Sequence, residues 1–167
     1  ETMKIIAAGN IFTGTFERDG MGGILTLGRN FECRPNKLKG YYKYTSAKVS
    51  VSKGHLNEGE DDLCSLYIAL TDEQITVNTN KGIYFDPNSS AVIAYGSISD
   101  EESKGADSFK EFTVDLEYKD LKRIPKYIIV VASSSKYGDY MEGGKGSTMW
   151  LDDLELVYPK SMEEVRK

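Results

Sequence analysis

Two adjacent carboxylates, Asp152 and Asp153, interrupt a strand-like stretch at 147–158. Met149 and Leu151 keep one phase and Leu154 and Leu156 the other, which predicts a β-bulge at the aspartates. Carboxylates side by side at a bulge can give oxygen ligands to a hard cation such as Ca²⁺; equally, they can hydrogen-bond a neighbouring turn or face water. Gly40-Tyr41-Tyr42-Lys43-Tyr44 puts three tyrosines in one strand, Tyr42 and Tyr44 on one face and Tyr41 on the other. One of these sets faces away from the core. An exposed tyrosine offers a ring face for stacking under a sugar and a hydroxyl for one hydrogen bond; the alternative is core or rim packing. Trp150, the single tryptophan, lies off the face shared by Met149 and Leu151 and could be a sugar platform or a core plug.

Arg34, held beside the fixed φ of Pro35, could present its donor fork to vicinal hydroxyls or close a structural ion pair. The small, polar run Ser133-Ser134-Ser135-Lys136-Tyr137-Gly138-Asp139-Tyr140, followed by Gly143-Gly144-Lys145-Gly146, could let a ligand approach the backbone or simply be a flexible connection. It lacks the Gly-Lys-Ser/Thr ending and following helix of a phosphate loop. His55, in a Lys-Gly-His turn, reads as exposed and inert. No serine or cysteine nucleophile motif stands out. A glycoside hydrolase needs two carboxyls facing each other, roughly 5–9.5 Å apart. Among 26 acidic residues such a pair can always be imagined, so the count decides nothing.

The 167 residues suit one domain, and 40% hydrophobic residues suffice for a core. A net charge of −5 without a basic cluster argues against nucleic acid as partner. No apolar stretch approaches the ~20 residues of a membrane span. One histidine and two cysteines leave little for zinc. Cys64 sits on an apolar strand face and reads as a buried free thiol, with a disulfide to Cys33 as the alternative. The chain starts at Glu1 with no leader-like segment, so it is expected to be either processed or excised from a longer protein.

The elements that must position these residues are strands. Residues 63–71 and 111–118 alternate with period two, as half-buried antiparallel strands do, and 47–53 is a shorter case. The continuous apolar run 127–132 predicts a central strand buried on both faces. Further strands are expected at 3–8, 24–27, 40–46, 91–99 and 148–157, with no convincing amphipathic helix. Eight or nine strands joined by long loops point to an all-β, jelly-roll β-sandwich of two antiparallel sheets spanning 1–158, with a polar tail at 159–167.

Several blocks together resemble the putative carbohydrate metabolism domain family. They are Gly22-Gly23-Ile24-Leu25-Thr26-Leu27-Gly28, Arg34-Pro35 with Leu38-Lys39-Gly40-Tyr41-Tyr42-Lys43-Tyr44, the segment 132–139, and 146–156. The resemblance implies a jelly roll similar to galactose-binding-like and carbohydrate-binding-module folds. It also implies a secreted or lipid-anchored surface protein of anaerobic gut bacteria. In sugar-binding jelly rolls the last strand often carries an Asp that helps hold a structural calcium, a place similar to that of Asp152 and Asp153. No catalytic residue carries over.

The resulting expectation is a non-catalytic carbohydrate-binding domain, secreted or at the outer cell surface, with no cofactor required and a structural calcium at Asp152 and Asp153 as the alternative to a metal-free bulge. An oligo- or polysaccharide would be held by Tyr41, Tyr42, Tyr44 or Trp150 through stacking and by Arg34, Ser134 and Asp139 through hydrogen bonds. A glycan-processing hydrolase is the alternative. A structural module docking neighbouring domains is the second.

Overall fold

Strand β6 (Ser65–Thr71) explains the layering. Leu66, Ile68 and Leu70 point to one side and Tyr67 and Ala69 to the other, and all but the half-buried Tyr67 are sealed from water. A sheet apolar on both faces has to be covered twice. The computed structural model describes residues 4–20 and 22–161. The other strands, in chain order, are β1 (Asn10–Phe12), β2 (Gly14–Asp19), β3 (Gly22–Leu27), β4 (Arg29–Asn30), β5 (Lys37–Thr45), β7 (Ile75–Asn78), β8 (Val92–Ser97), β9 (Ala106–Asp115), β10 (Glu117–Tyr118), β11 (Tyr127–Ser133) and β12 (Thr148–Val157).

The central sheet runs β1-β11-β6-β8-β10, with β4 also on β11; the flanking sheets are β12-β5-β9 and β2-β3-β7, and every pairing is antiparallel. Between the central sheet and β12-β5-β9, Leu38, Tyr42, Tyr44, Phe112 and Val114 pack on Leu66, Ile68, Leu70, Ile128 and Ala132. On the far face, Leu27 and Val77 pack on Ala69 and Ile129. Each large apolar side chain buried here stabilises the fold by about 1.5–3 kcal/mol. Among the described residues no helix is long and apolar enough to cross a membrane.

The all-β antiparallel reading holds, and the continuous apolar run is β11, which pairs with β6 in the middle of the central sheet. Among the described residues the sheets number three, because the small β2-β3-β7 sheet covers part of the face that a two-sheet sandwich would leave to water. Residues 47–53 are a loop and not a strand. Val49 and Val51 are buried, but their backbone partners are other loops, through isolated bridges Lys48↔Asp61 and Val51↔Gly143. Of the strand expected at 3–8, residues 4–8 are irregular and residue 3 lies outside the described residues. The bulge in β12 falls between Asp152 and Glu155, as the phase change predicts. Asp153 there takes φ 49°, and Leu154 reaches over Gly40, where a Cβ would lie 2.9 Å from its Cδ2.

Gly96 of β8 sits against β9. A Cβ at this position would lie 2.1 Å from the Asp115 carbonyl oxygen and 2.7 Å from Val114 Cγ1. Backbone cannot yield as a flexible side-chain tip can, so Gly96→Ala should cost about 1–3 kcal/mol in urea unfolding. Ser108→Ala, on an exposed position of β9, should stay within about 0.5 kcal/mol of the parent. Equal stabilities for the two variants would contradict this packing.

Candidate functional site

The β2-β3-β7 sheet leaves one end of the central sheet's outer face uncovered, and there Tyr67 of β6 and Tyr95 of β8 form the floor of a cleft of about 250 Å³. The connection from β7 to β8 folds over this floor. It lays Phe85 parallel to Tyr67, ring centroids 4.9 Å apart at 17°, and 6.2 Å from Tyr95. Tyr84, from the same connection, stacks on Tyr140 at 4.2 Å. Tyr140 belongs to the loop between β11 and β12, which also brings Lys136 and Asp139 to the cleft. Ser65, Ser97 and Ser103 add polar groups. Rings that are half-buried, each with a hydroxyl nearby, suit a ligand with both apolar faces and polar edges.

Two buried carboxylates fix that loop. Asp62, 1% exposed, accepts hydrogen bonds at Oδ2 from the Ser135 hydroxyl (2.6 Å), the Gly144 N–H (2.8 Å) and the Ser147 hydroxyl (2.8 Å), and at Oδ1 from the Leu63 N–H (2.8 Å). Glu142, fully buried, accepts from the backbone N–H groups of Lys53 (2.7 Å), His55 (3.2 Å) and Leu56 (2.6 Å), and its Oε2 lies 3.2 Å from His55 Nδ1. Burial pushes the Glu142 carboxyl up, but the hydrogen bonds from His55, Lys53 and Leu56 outweigh it and hold the group below the usual glutamate range. His55 in turn stacks on Tyr137 at 4.4 Å and meets Tyr140 at 4.3 Å with the rings tilted by 49°. The expected inert histidine is thus a strut: the contacts run from Glu142 through His55 to Tyr140 and on to Tyr84 at the cleft.

Asp139 differs from both. Its carboxyl makes no hydrogen bond or ion pair with any described residue, while the neighbouring Lys136 is paired with Asp100 at 3.0 Å. Asp139 remains reachable by solvent, yet the aromatic walls crowd its carboxyl and raise it above the usual aspartate value. Asp100 is held low by its bond to Lys136.

A family described as "Putative carbohydrate metabolism domain" matches residues 1–157. The chain belongs to that family. Solved structures agree in shape. A Bacteroides thetaiotaomicron protein titled a putative glycoside hydrolase superposes with TM-score 0.70 at 26% identity, over 93% of this chain and 48% of its own. A Bacteroides vulgatus protein with the same title superposes with TM-score 0.69 at 26% identity, over 90% of this chain and 64% of its own. The chain therefore spans about half of the first and under two thirds of the second. No curated protein matches it.

Within this carbohydrate metabolism domain the residues expected at a site are scattered. Tyr42 and Tyr44 are 1% and 2% exposed, and their hydroxyls donate to the Glu102 and Ser134 carbonyls, so they are core residues with no ring face to offer: a correction to the stacking role expected of them. Their inward set is the larger and more apolar, in phase with Leu38, which is why it is the one buried. Ser134 is also buried and serves as that carbonyl acceptor. Arg34 donates from Nη2 to the Arg123 carbonyl at 2.6 Å; it closes no ion pair with a described residue and does not line the cleft. Tyr41 and Trp150, each 42% exposed, share the outer face of β12-β5-β9, where Lys43 lies 5.0 Å over the Trp150 ring. Asp152 and Asp153 are exposed at the bulge, and among the described residues no three His, Cys, Asp or Glu side chains gather as a metal site. Of the expected residues only Asp139 lies in the cleft. Cys64 is a free thiol with 0% exposure, its pKa pushed up to about 12 by burial.

The Glu142 linkage has a definite sign. A carboxyl held low in the folded state adds stability that is present above its unfolded pKa and is lost as pH falls through the folded value. Glu142→Gln should cost about 2 kcal/mol near neutral pH by urea unfolding. The gap should close in acid, below about pH 4, because only the parent protein has that proton to bind. A gap that stayed constant into acid would refute the assignment.

Proposed function

We propose that this domain binds a carbohydrate in the aromatic cleft and does not cleave it. The observation that carries the proposal is the convergence of Tyr67, Tyr84, Phe85, Tyr95 and Tyr140 on one small cavity whose other polar lining is serine hydroxyl, carboxyl and ammonium, with Leu66, Pro87 and Ile98 filling between them. Aromatic faces cover the C–H patches of a sugar ring and polar groups take its hydroxyls. Membership in a carbohydrate metabolism family and the titles of the two similar structures support a glycan-related role. A cavity of this size holds one sugar residue, so affinity is expected to be weak, a few kcal/mol after the cost of ordering. A secreted or surface protein is the setting this reading suits.

Hydrolysis is the second reading. Asp139, held above the aspartate norm, could serve as the acid, and Asp100, held below it, as the ionised partner; both line the cleft. The first reading is favoured because Asp100 already pairs with Lys136 and its side chain is 94% exposed. A hydrolase would release reducing ends from oligosaccharides, and Asp139→Asn would slow release by about 100-fold or more.

Titration of the protein with a panel of oligosaccharides by calorimetry separates the possibilities. Tyr84→Ala or Tyr95→Ala should weaken binding of any hit by roughly tenfold, consistent with losing one stacked ring. Tyr41→Ala and Trp150→Ala, on the opposite surface, should leave it unchanged. The reverse pattern would move the site to the outer face of β12-β5-β9, and no hit at all would sink the binding reading.

A further inference from the structure

We infer that the cleft selects a positively charged ligand, and that its preferred sugar is a hexosamine with a free amino group, its ammonium held between Asp139 and the surrounding rings. This rests on the carbohydrate-binding reading and narrows it.

Asp139 is the starting point. The other carboxylates of this loop cluster, Asp62 and Glu142, are saturated with donors. Asp139 has no such donor among the described residues, although a lysine of its own loop lines the same cleft; that lysine is committed to Asp100 at 3.0 Å. The fold thus leaves one anionic acceptor open, and leaves it where a ligand would sit. Asp139 also lines a smaller void of about 60 Å³ that shares Ser65, Tyr67 and Lys136 with the cleft. It therefore borders both spaces.

The walls have the same preference. An aromatic ring presents a negative face, so rings gathered around a cavity attract a cation and disfavour an anion. The formal charges lining the cleft are Asp100 and Asp139 against Lys136, a net of one negative. A uronic acid would meet that charge with its own carboxylate. A neutral sugar would leave the Asp139 carboxylate partly stripped of water with only hydroxyls to replace it. An ammonium on the ring supplies the opposite charge and up to three donors.

The titratable groups that line the cleft with Asp139 are Tyr67 from β6, Tyr95 from β8, Tyr84 from the β7–β8 connection, Cys64, Asp100, and Lys136 and Tyr140 from its own loop, and of these Tyr67 and Tyr140 interact with it electrostatically. The preference requires an ionised Asp139 and a protonated amine. It should fade in acid as Asp139 takes up its proton and in base as the amine loses one.

The test is calorimetric titration of the protein at low salt and about pH 6, where a sugar amine is charged. The probes are a glucosamine trisaccharide and its fully N-acetylated counterpart, which is neutral. The free amine should bind about tenfold tighter or better, an increment typical of a cation against rings and a carboxylate. In Asp139→Asn, shown to be folded by an unchanged thermal melt, the two affinities should fall within about twofold of each other. Tetramethylammonium should compete with the amino sugar on the parent protein. Equal affinities for the two trisaccharides, or a preference that survives Asp139→Asn, overturns the inference and leaves the carbohydrate-binding reading standing. Failure of both trisaccharides and of the wider sugar panel overturns that reading as well.

Discussion

The Asp62 carboxylate, buried with four donors around it, is the contact on which the functional end of the molecule depends. It ties the start of β6 to Ser135, Gly144 and Ser147, three points along one loop between β11 and β12. A buried charge is costly when a donor is removed, so these bonds confine the loop to one path. Glu142 repeats the device one step further out and fastens residues 53–56 to the same loop. Lys136, Asp139 and Tyr140 lie on that path. Their placement is thus set by polar contacts beneath them, and of the three side chains only that of Asp139 is left without a polar or ring partner among the described residues.

The sheets supply the other half of the site. Central strands apolar on both faces call for cover on both, and the β2-β3-β7 sheet is too small to cover the whole far face. The uncovered end carries Tyr67 and Tyr95, residues that tolerate partial burial because one edge is polar. The cleft arises where cover runs out. The β7–β8 connection then lines it with Tyr84 and Phe85.

Much of the frame was legible in the sequence because it depends on local pattern. Period-two alternation marked β6 and β9, the unbroken apolar run marked β11, and the phase change marked the bulge in β12. Parity separated Tyr41 from Tyr42 and Tyr44 but could not say which set met the core; that needed the partner sheet. Strand β2 escaped notice because its central residues are all exposed and show no alternation, and β7 because it is only four residues long. Residues 47–53 imitated a strand because two buried valines two apart look the same in a loop. The cleft was the least legible feature. Its rings come from β6, β8 and two separate loops, and no spacing along the chain records that they meet. Tyr67 on the face opposite Leu66 and Ile68, and the pair Tyr84-Phe85 in a turn-rich stretch, were the signals available.

The bulge in β12 has a consequence for solubility. β12 is the outermost strand of its sheet, ten residues long, with one edge that pairs with no described strand. A straight strand of that length would be a template for a second molecule to add to, the first step toward fibrous aggregates. The left-handed Asp153 kinks that edge mid-way, and Asp152 and Asp153 put negative charge at the kink, while Glu155 is paired with Lys39. An incoming copy would meet a broken register and like charges at once, which keeps an exposed border from growing.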